Sequence, residues 1–244
     1  MPHSMTAADA QRELRMFSRT ERVESTKRFF KAYGGGYSEG DFFLACGVPA
    51  TRLVAKKFQA LPLTELDTLI VSKWHDDRLL ALIILVNQYK EGSPATCAAI
   101  YEFYLAHKAR VNNWDLVDSS AEFIVGPELQ DNPDKFAVLK PLALSQSLWD
   151  RRIAMLATFA YIRQGQADDA LVIAEMLLHD SHDLIQKAVG WMLREIGKRV
   201  SRDVLLAFLD IHAGTMPQTT LRYAIEHLSP EQRTHYMQQR SLLR

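Results

Sequence analysis

Two tryptophans and the charges spaced around them are the residues of this sequence best suited to chemistry. Trp114 and Asp118 stand four apart in Asn112-Asn113-Trp114-Asp115-Leu116-Val117-Asp118. The segment reads as a helix start, with an asparagine able to cap it and Asp115 in the first turn, where an acid complements the helix dipole. At a spacing of four, an indole and a carboxylate share one helix face. Farther on, Lys187, Trp191, Arg194 and Lys198 fall at i, i+4, i+7 and i+11, which sets a second tryptophan in a basic stripe. Asp115 is the nearer rival to Asp118 for a chemical role, but its place in the first turn suits a helix-start acid. Trp74 and Trp149 are expected in the core, where the area of an indole dominates packing.

The elements that must position these residues are helices. From about Glu21 onward apolar residues recur at three- and four-residue spacing, and no stretch alternates long enough for a sheet. Breaks are expected at Gly34-Gly35-Gly36, Gly47-Val48-Pro49, Leu61-Pro62, Gly92-Ser93-Pro94, Gly126-Pro127, Asn132-Pro133, Gly165, 180–182, Gly214 and Ser229-Pro230. A faint repeat runs through the helices. Aligning Ala81, Ala121, Ala154, Ala188 and Ala224 gives intervals of 40, 33, 34 and 36 residues, each alanine preceded by a polar or charged cluster and followed by an apolar run. Such spacing predicts one helix pair per repeat and an all-α, HEAT-like solenoid. One domain is expected over 21–244, after an N-terminal tail over 1–20 that is partly helical or disordered.

Equivalent positions in stacked helices should line one wall. Within three residues before the marker alanines stand Arg78, Asp118, Arg151 with Arg152, Lys187 and Arg222. Four of five repeats thus offer a cation, suited to phosphates of a duplex, and one offers an acid, suited to something positively charged. The plain alternative for each cation alone is a solvated charge at a helix start.

Composition narrows the classes. The 244 residues are 48% hydrophobic, with 29 basic against 29 acidic side chains, so any DNA contact must come from sorted charge and not from bulk positive charge. No window approaches 18 apolar residues and Met1–Arg22 lacks an apolar leader core, so a cytoplasmic protein without membrane attachment is expected. Cys46 and Cys97 lie far apart and form no metal motif. Gly34-Gly35-Gly36 lacks the following Gly-Lys-Ser/Thr of a phosphate loop, and His179 and His182 read as solvated loop residues without a third metal partner. No nucleophile motif appears, and neither a metal nor an organic cofactor is expected.

Four segments in order carry a resemblance: Asn113-Trp114-Asp115-Leu116-Val117-Asp118, Leu148-Trp149-Asp150-Arg151-Arg152-Ile153-Ala154, Gln186-Lys187-Ala188-Val189-Gly190-Trp191-Met192-Leu193-Arg194-Glu195, and Tyr37-Ser38-Glu39-Gly40-Asp41-Phe42-Phe43-Leu44 with Val48-Pro49 and Arg52. With these the sequence resembles the AlkD family of DNA alkylation repair glycosylases over most of Phe29 to Lys198; Gly47 departs from the family, and the first twenty or so residues match nothing in it. The resemblance implies a C-shaped helical stack with duplex DNA in its concavity. Asp118 matches the catalytic aspartate, Trp114 and Trp191 the tryptophans that contact the lesion-bearing nucleotide, and Arg152 an arginine that holds the backbone nearby. Arg78, Arg151, Lys187, Arg194, Lys198 and Arg222 are the further DNA-binding cations expected.

One acid suffices for that chemistry. An N3- or N7-alkylated purine already carries positive charge and leaves without a delivered proton, whereas glycosidases that expel a neutral group need two carboxylates. A carboxylate about 4 Å from the developing sugar cation, at an effective dielectric near 20, gains on the order of 4 kcal/mol, close to a thousandfold in rate. The expected protein is therefore a monomeric, monofunctional glycosylase acting on 3-methyladenine and 7-methylguanine in duplex DNA. Two alternatives stand beside it: a non-catalytic relative that binds damaged, bent or branched DNA, and a protein-binding solenoid, which the repeated Arg and Lys disfavour.

Overall fold

A computed structural model describes residues 5–242 of the chain, and the described part is built from helices. Its only β-type pairing is an isolated bridge between Phe42 and Trp74. None of its helices is long and apolar enough to cross a membrane. The chain divides into two compact units, Met1–Ile124 and Val125–Arg244.

The first unit holds α1 (Ala7–Arg15), α2 (Val23–Phe29), α3 (Val48–Lys57), α4 (Leu63–Ile70), α5 (His75–Glu91), α6 (Pro94–Ala106) and α7 (Trp114–Asp118). Helix α1 lies inside the stretch read as a tail. Thr6 and Asp9 close a reciprocal capping box at its start, and α1 packs on α3 and α4 through Ala7, Ala10 and Leu14. Its centre is α5. Leu79 to Val86 is apolar without interruption and buried throughout, the signature of a helix wrapped on every side.

The second unit runs α8 (Val125–Gln130), α9 (Lys135–Ala143), α10 (Leu148–Ala157), α11 (Phe159–Arg163), α12 (Asp168–Met176), α13 (Asp183–Arg199), α14 (Arg202–His212), α15 (Gln218–Ala224) and α16 (Pro230–Leu242). Helix α13 is the hub, meeting α10, α11, α12, α14 and α15. Two glycines of this unit, Gly190 on α13 and Gly126 on α8, permit neighbouring helices to approach closely. A Cβ on Gly190 would stand 2.5 Å from the Thr220 carbonyl oxygen, and one on Gly126 would collide with the Ala157 carbonyl. Gly126 was expected at a break; it lies within α8, where close backbone approach is its use. All five marker alanines are buried.

Candidate functional site

Helix α7 carries Trp114 and Asp118 and is only five residues long. A helix that short is unstable alone, so its neighbours must hold it. Asn113 caps it: its Oδ1 accepts from the Trp114 N–H at 2.8 Å, while its Nδ2 donates to Ser38 Oγ at 2.7 Å. Leu116 and Val117 are buried beneath it. The Trp114 indole is half-buried, stacked on Phe30 at 5.4 Å and edge-on to Phe29 at 5.6 Å.

The two acids of α7 have different surroundings. Asp115 stands in the first turn, where the dipole favours it, and its Oδ2 meets His75 Nε2 at 2.8 Å. Asp118 closes the last turn, where the dipole opposes an anion, and like Asp115 it is partly buried. Local helix energetics account for the first acid and not the second.

Around His75 lies a buried network of charge. His75, Asp76, Asp77 and Arg78 open α5 and are all buried. Asp76 accepts from the N–H groups of Leu44 and Cys46, at 2.8 and 2.9 Å, and so fastens the chain before α3. Asp77 takes both Nη atoms of Arg15 and the amide of Gln11, and so fastens α1. Arg78 donates to Asp41 at 2.8 Å and to the Ser72 carbonyl at 3.0 Å. Burial draws the His75 imidazole toward neutrality, but the Asp115 carboxylate, with help from Asp41, outweighs burial and pushes the ring up to about 9. Burial likewise works against the Asp41 charge, yet His75 and Arg78 hold that carboxyl below its ordinary value.

In the second unit Trp191 is half-buried on α13, edge-on to Phe159 at 5.6 Å. Phe159 also carries the Arg163 guanidinium over its ring at 4.6 Å. Arg152 on α10 is only 5% exposed, and its Nη1 donates to the Leu184 carbonyl at 2.5 Å, joining α10 to the first turn of α13.

The cations expected along one wall stand at unequal offsets from their marker alanines. Arg78 and Arg151 stand three residues before their alanines, Arg152 and Arg222 two, and Lys187 one. At roughly 100° per residue these offsets spread over about 200° of a helix circumference. Arg78, expected to contact DNA, is instead fully buried against Asp41 as a core ion pair and presents nothing to a phosphate. Arg151 pairs with Asp180 at 2.6 Å, Lys187 with Asp183 at 3.0 Å, and Arg194 with Glu226 and with Glu195. Lys198 and Arg222 are exposed and form no ion pair among the described residues. Lys198 borders, with Arg194, Arg202 and His227, a cavity of about 280 Å³ floored by Leu205, Ala224 and Leu228.

A family model for DNA alkylation repair enzymes matches residues 10–228. The chain belongs to the DNA alkylation repair enzyme family. Among solved structures the fold is similar to a protein described as a predicted DNA alkylation repair enzyme from Enterococcus faecalis, with a TM-score of 0.67 at 15% identity, over 87% of this chain and 97% of that one. No match was found among curated proteins. Family membership supplies a DNA repair role. Within the first unit, α7 brings together Trp114 and Asp118, as their spacing required; Trp191 and Arg152 belong to the second.

Sequence reasoning gave no role to His75, to Asp41 and Phe43 within the Tyr37–Leu44 segment, or to Phe29 and Phe30, whose rings meet Trp114. A usable signal existed. A helix apolar on all sides from Leu79 to Val86 is wrapped by neighbours, so the four titratable residues opening it had to be buried as well. Trp74 and Trp149 are half-buried, less enclosed than expected; Lys73 stands over the Trp74 ring at 5.9 Å. His179 is exposed in its loop, and no group of three His, Cys, Asp or Glu among the described residues could hold a metal.

Proposed function

We propose that this member of the DNA alkylation repair enzyme family is a monofunctional DNA glycosylase that hydrolyses the N-glycosidic bond of cationic N-alkylpurines, such as 3-methyladenine and 7-methylguanine, in duplex DNA. The observation that carries this reading is the division of labour on α7. Asp115 meets His75 in the first turn, and Asp118, one turn on and on the helix face of Trp114, stands partly exposed at the helix end that disfavours an anion.

In the proposed mechanism the alkylated base departs as a neutral purine, and positive charge passes to the deoxyribose. Asp118 stabilises that charge and orients the water that attacks the anomeric carbon; water contributes the hydroxyl, and its proton leaves to solvent. The Trp114 face adds about 0.5 to 2 kcal/mol as charge develops against it. Trp191 takes the corresponding role that family resemblance implies. Arg152, oriented by the Leu184 carbonyl, serves the DNA backbone. Arg151, Lys187, Arg194, Lys198 and Arg222 supply phosphate contacts, with Lys198 and Arg222 the most accessible. The protein is proposed to act as a cytoplasmic monomer, without metal or organic cofactor.

The test is release of free base from a 7-methylguanine duplex by wild type and by Asp118→Asn. Wild type should release base, and the variant should be slower by about a thousandfold, the value of the lost Coulomb interaction. Equal release by both removes Asp118 from the mechanism. If neither releases base while both bind the duplex, the protein is a DNA-binding relative without excision.

A further inference from the structure

The helix with the proposed catalytic acid is too short to hold its own orientation, and among its tertiary anchors one is ionic. His75 reaches α7 by two routes. Its Nε2 meets Asp115 Oδ2 at 2.8 Å. Its ring lies 4.9 Å from those of both Phe30 and Phe43, and Phe30 in turn stacks on Trp114. The base of this bracket is firm. The His75 N–H donates to the Phe42 carbonyl at 2.8 Å, and the ring stands at the head of the most enclosed helix of its unit.

On its other side His75 Nδ1 faces Asp41 Oδ2 at 3.9 Å, and neither atom has a hydrogen-bond partner, although both are buried. A buried donor and acceptor so placed are complementary only when the imidazole carries both protons. Two carboxylates flanking one imidazole have the same requirement, since a neutral ring leaves one of them facing an unprotonated nitrogen.

We infer that His75, held as an imidazolium between Asp41 and Asp115, is the positioning residue of α7, setting the orientation in which Trp114 and Asp118 meet DNA. This rests on the glycosylase reading for its activity readout and on geometry for the rest. Neighbouring charges are accounted for: Asp41 and Asp115 favour the charged ring, Arg78 opposes it, and Asp76 and Asp77 are taken by backbone amides and by Arg15. The ring remains protonated through neutral pH and loses its proton near pH 9, at which point the bracket opens.

The experiment compares wild type, His75→Gln and Asp115→Asn in single-turnover excision and in duplex binding. His75→Gln retains size and an N–H donor but not the charge. Each variant should excise at least about tenfold more slowly while its Kd for duplex changes less than about threefold, and the double variant should be no slower than the worse single one, because a positioning pair acts as a unit. The wild-type rate should fall as pH rises through about 9, and Asp115→Asn should shift that limb to lower pH. A wild-type rate in His75→Gln, a loss of excision matched by loss of binding, or an alkaline limb unmoved by Asp115→Asn each overturns the inference. Hydrogen exchange of the 114–118 amides supplies a readout independent of catalysis. If wild type itself fails to excise while His75→Gln loosens those amides, the glycosylase reading fails and the bracket stands; unchanged exchange overturns the bracket.

Discussion

Helices α5 and α13 are each 17 residues long, each carries a marker alanine, and each is central to its unit, yet they use charge in opposite ways. Helix α5 is buried on all sides through its first three turns, so its leading His75, Asp76, Asp77 and Arg78 satisfy one another and their neighbours inside the fold. Helix α13 is one-sided. Leu184, Ile185, Ala188, Val189, Met192, Leu193 and Ile196 face the core, while Lys187, Trp191, Arg194 and Lys198 reach outward to different degrees. A charged cluster before a marker alanine therefore yields a structural cation in one unit, Arg78 three residues ahead, and a more accessible one in the other, Lys187 one residue ahead. What separates them is the number of faces the helix has covered, which sets whether a guanidinium meets water or a carboxylate.

The contrast can be broken most severely at Arg78. Arg78→Ala should destabilise the protein by about 3 to 5 kcal/mol, because it leaves the Asp41 charge buried without its partner. Urea unfolding reads this directly, and a change below about 1 kcal/mol would show that Arg78 is a surface charge after all.

A second effect is linked to pH. His75 is raised from 6.5 to about 9 in the folded state, so the stability it contributes is complete below about pH 6.5 and declines as pH rises through 9. Its size is roughly 3 kcal/mol, from about 1.36 kcal/mol per pH unit. Unfolding free energies at pH 6, 8 and 10 should show the decline in wild type and not in His75→Gln.

On the α13 side, Gly190→Ala should cost about 1 to 3 kcal/mol by forcing α13 and α15 apart, since the added methyl meets both the Thr220 carbonyl and the Tyr223 Cβ at 2.5 Å. Thermal unfolding measures it. The smallest expected change in stability is at Lys198→Ala, within about 0.5 kcal/mol. Its signature lies in binding, where the log-log salt slope for plain duplex should lose about 0.9 if Lys198 neutralises one phosphate. An unchanged slope assigns Lys198 to a face that DNA does not touch.

Much of this molecule was legible before any coordinates. The three- and four-residue apolar spacing foretold helices, and the five marker alanines proved to be buried. Trp114 and Asp118 shared a face as their spacing required, and Asp115 was rightly read as a helix-start acid. What could not be read was the facing of each cation. Offsets of one, two and three residues before an alanine look equivalent in a string, yet they point to different sides of a helix.

From the sequence alone came the helical class, the repeat, the Trp114–Asp118 pair and the family resemblance, because all of these depend on periodicity and local order along the chain. Only the tertiary structure decided that Arg78 is a core residue, that Arg152 is tied to the Leu184 carbonyl, and that His75 joins α5 to α7 across forty positions. The physical reason is that burial and ion pairing depend on which elements cover which faces. That is a property of contacts between segments distant in sequence, and no local pattern encodes it.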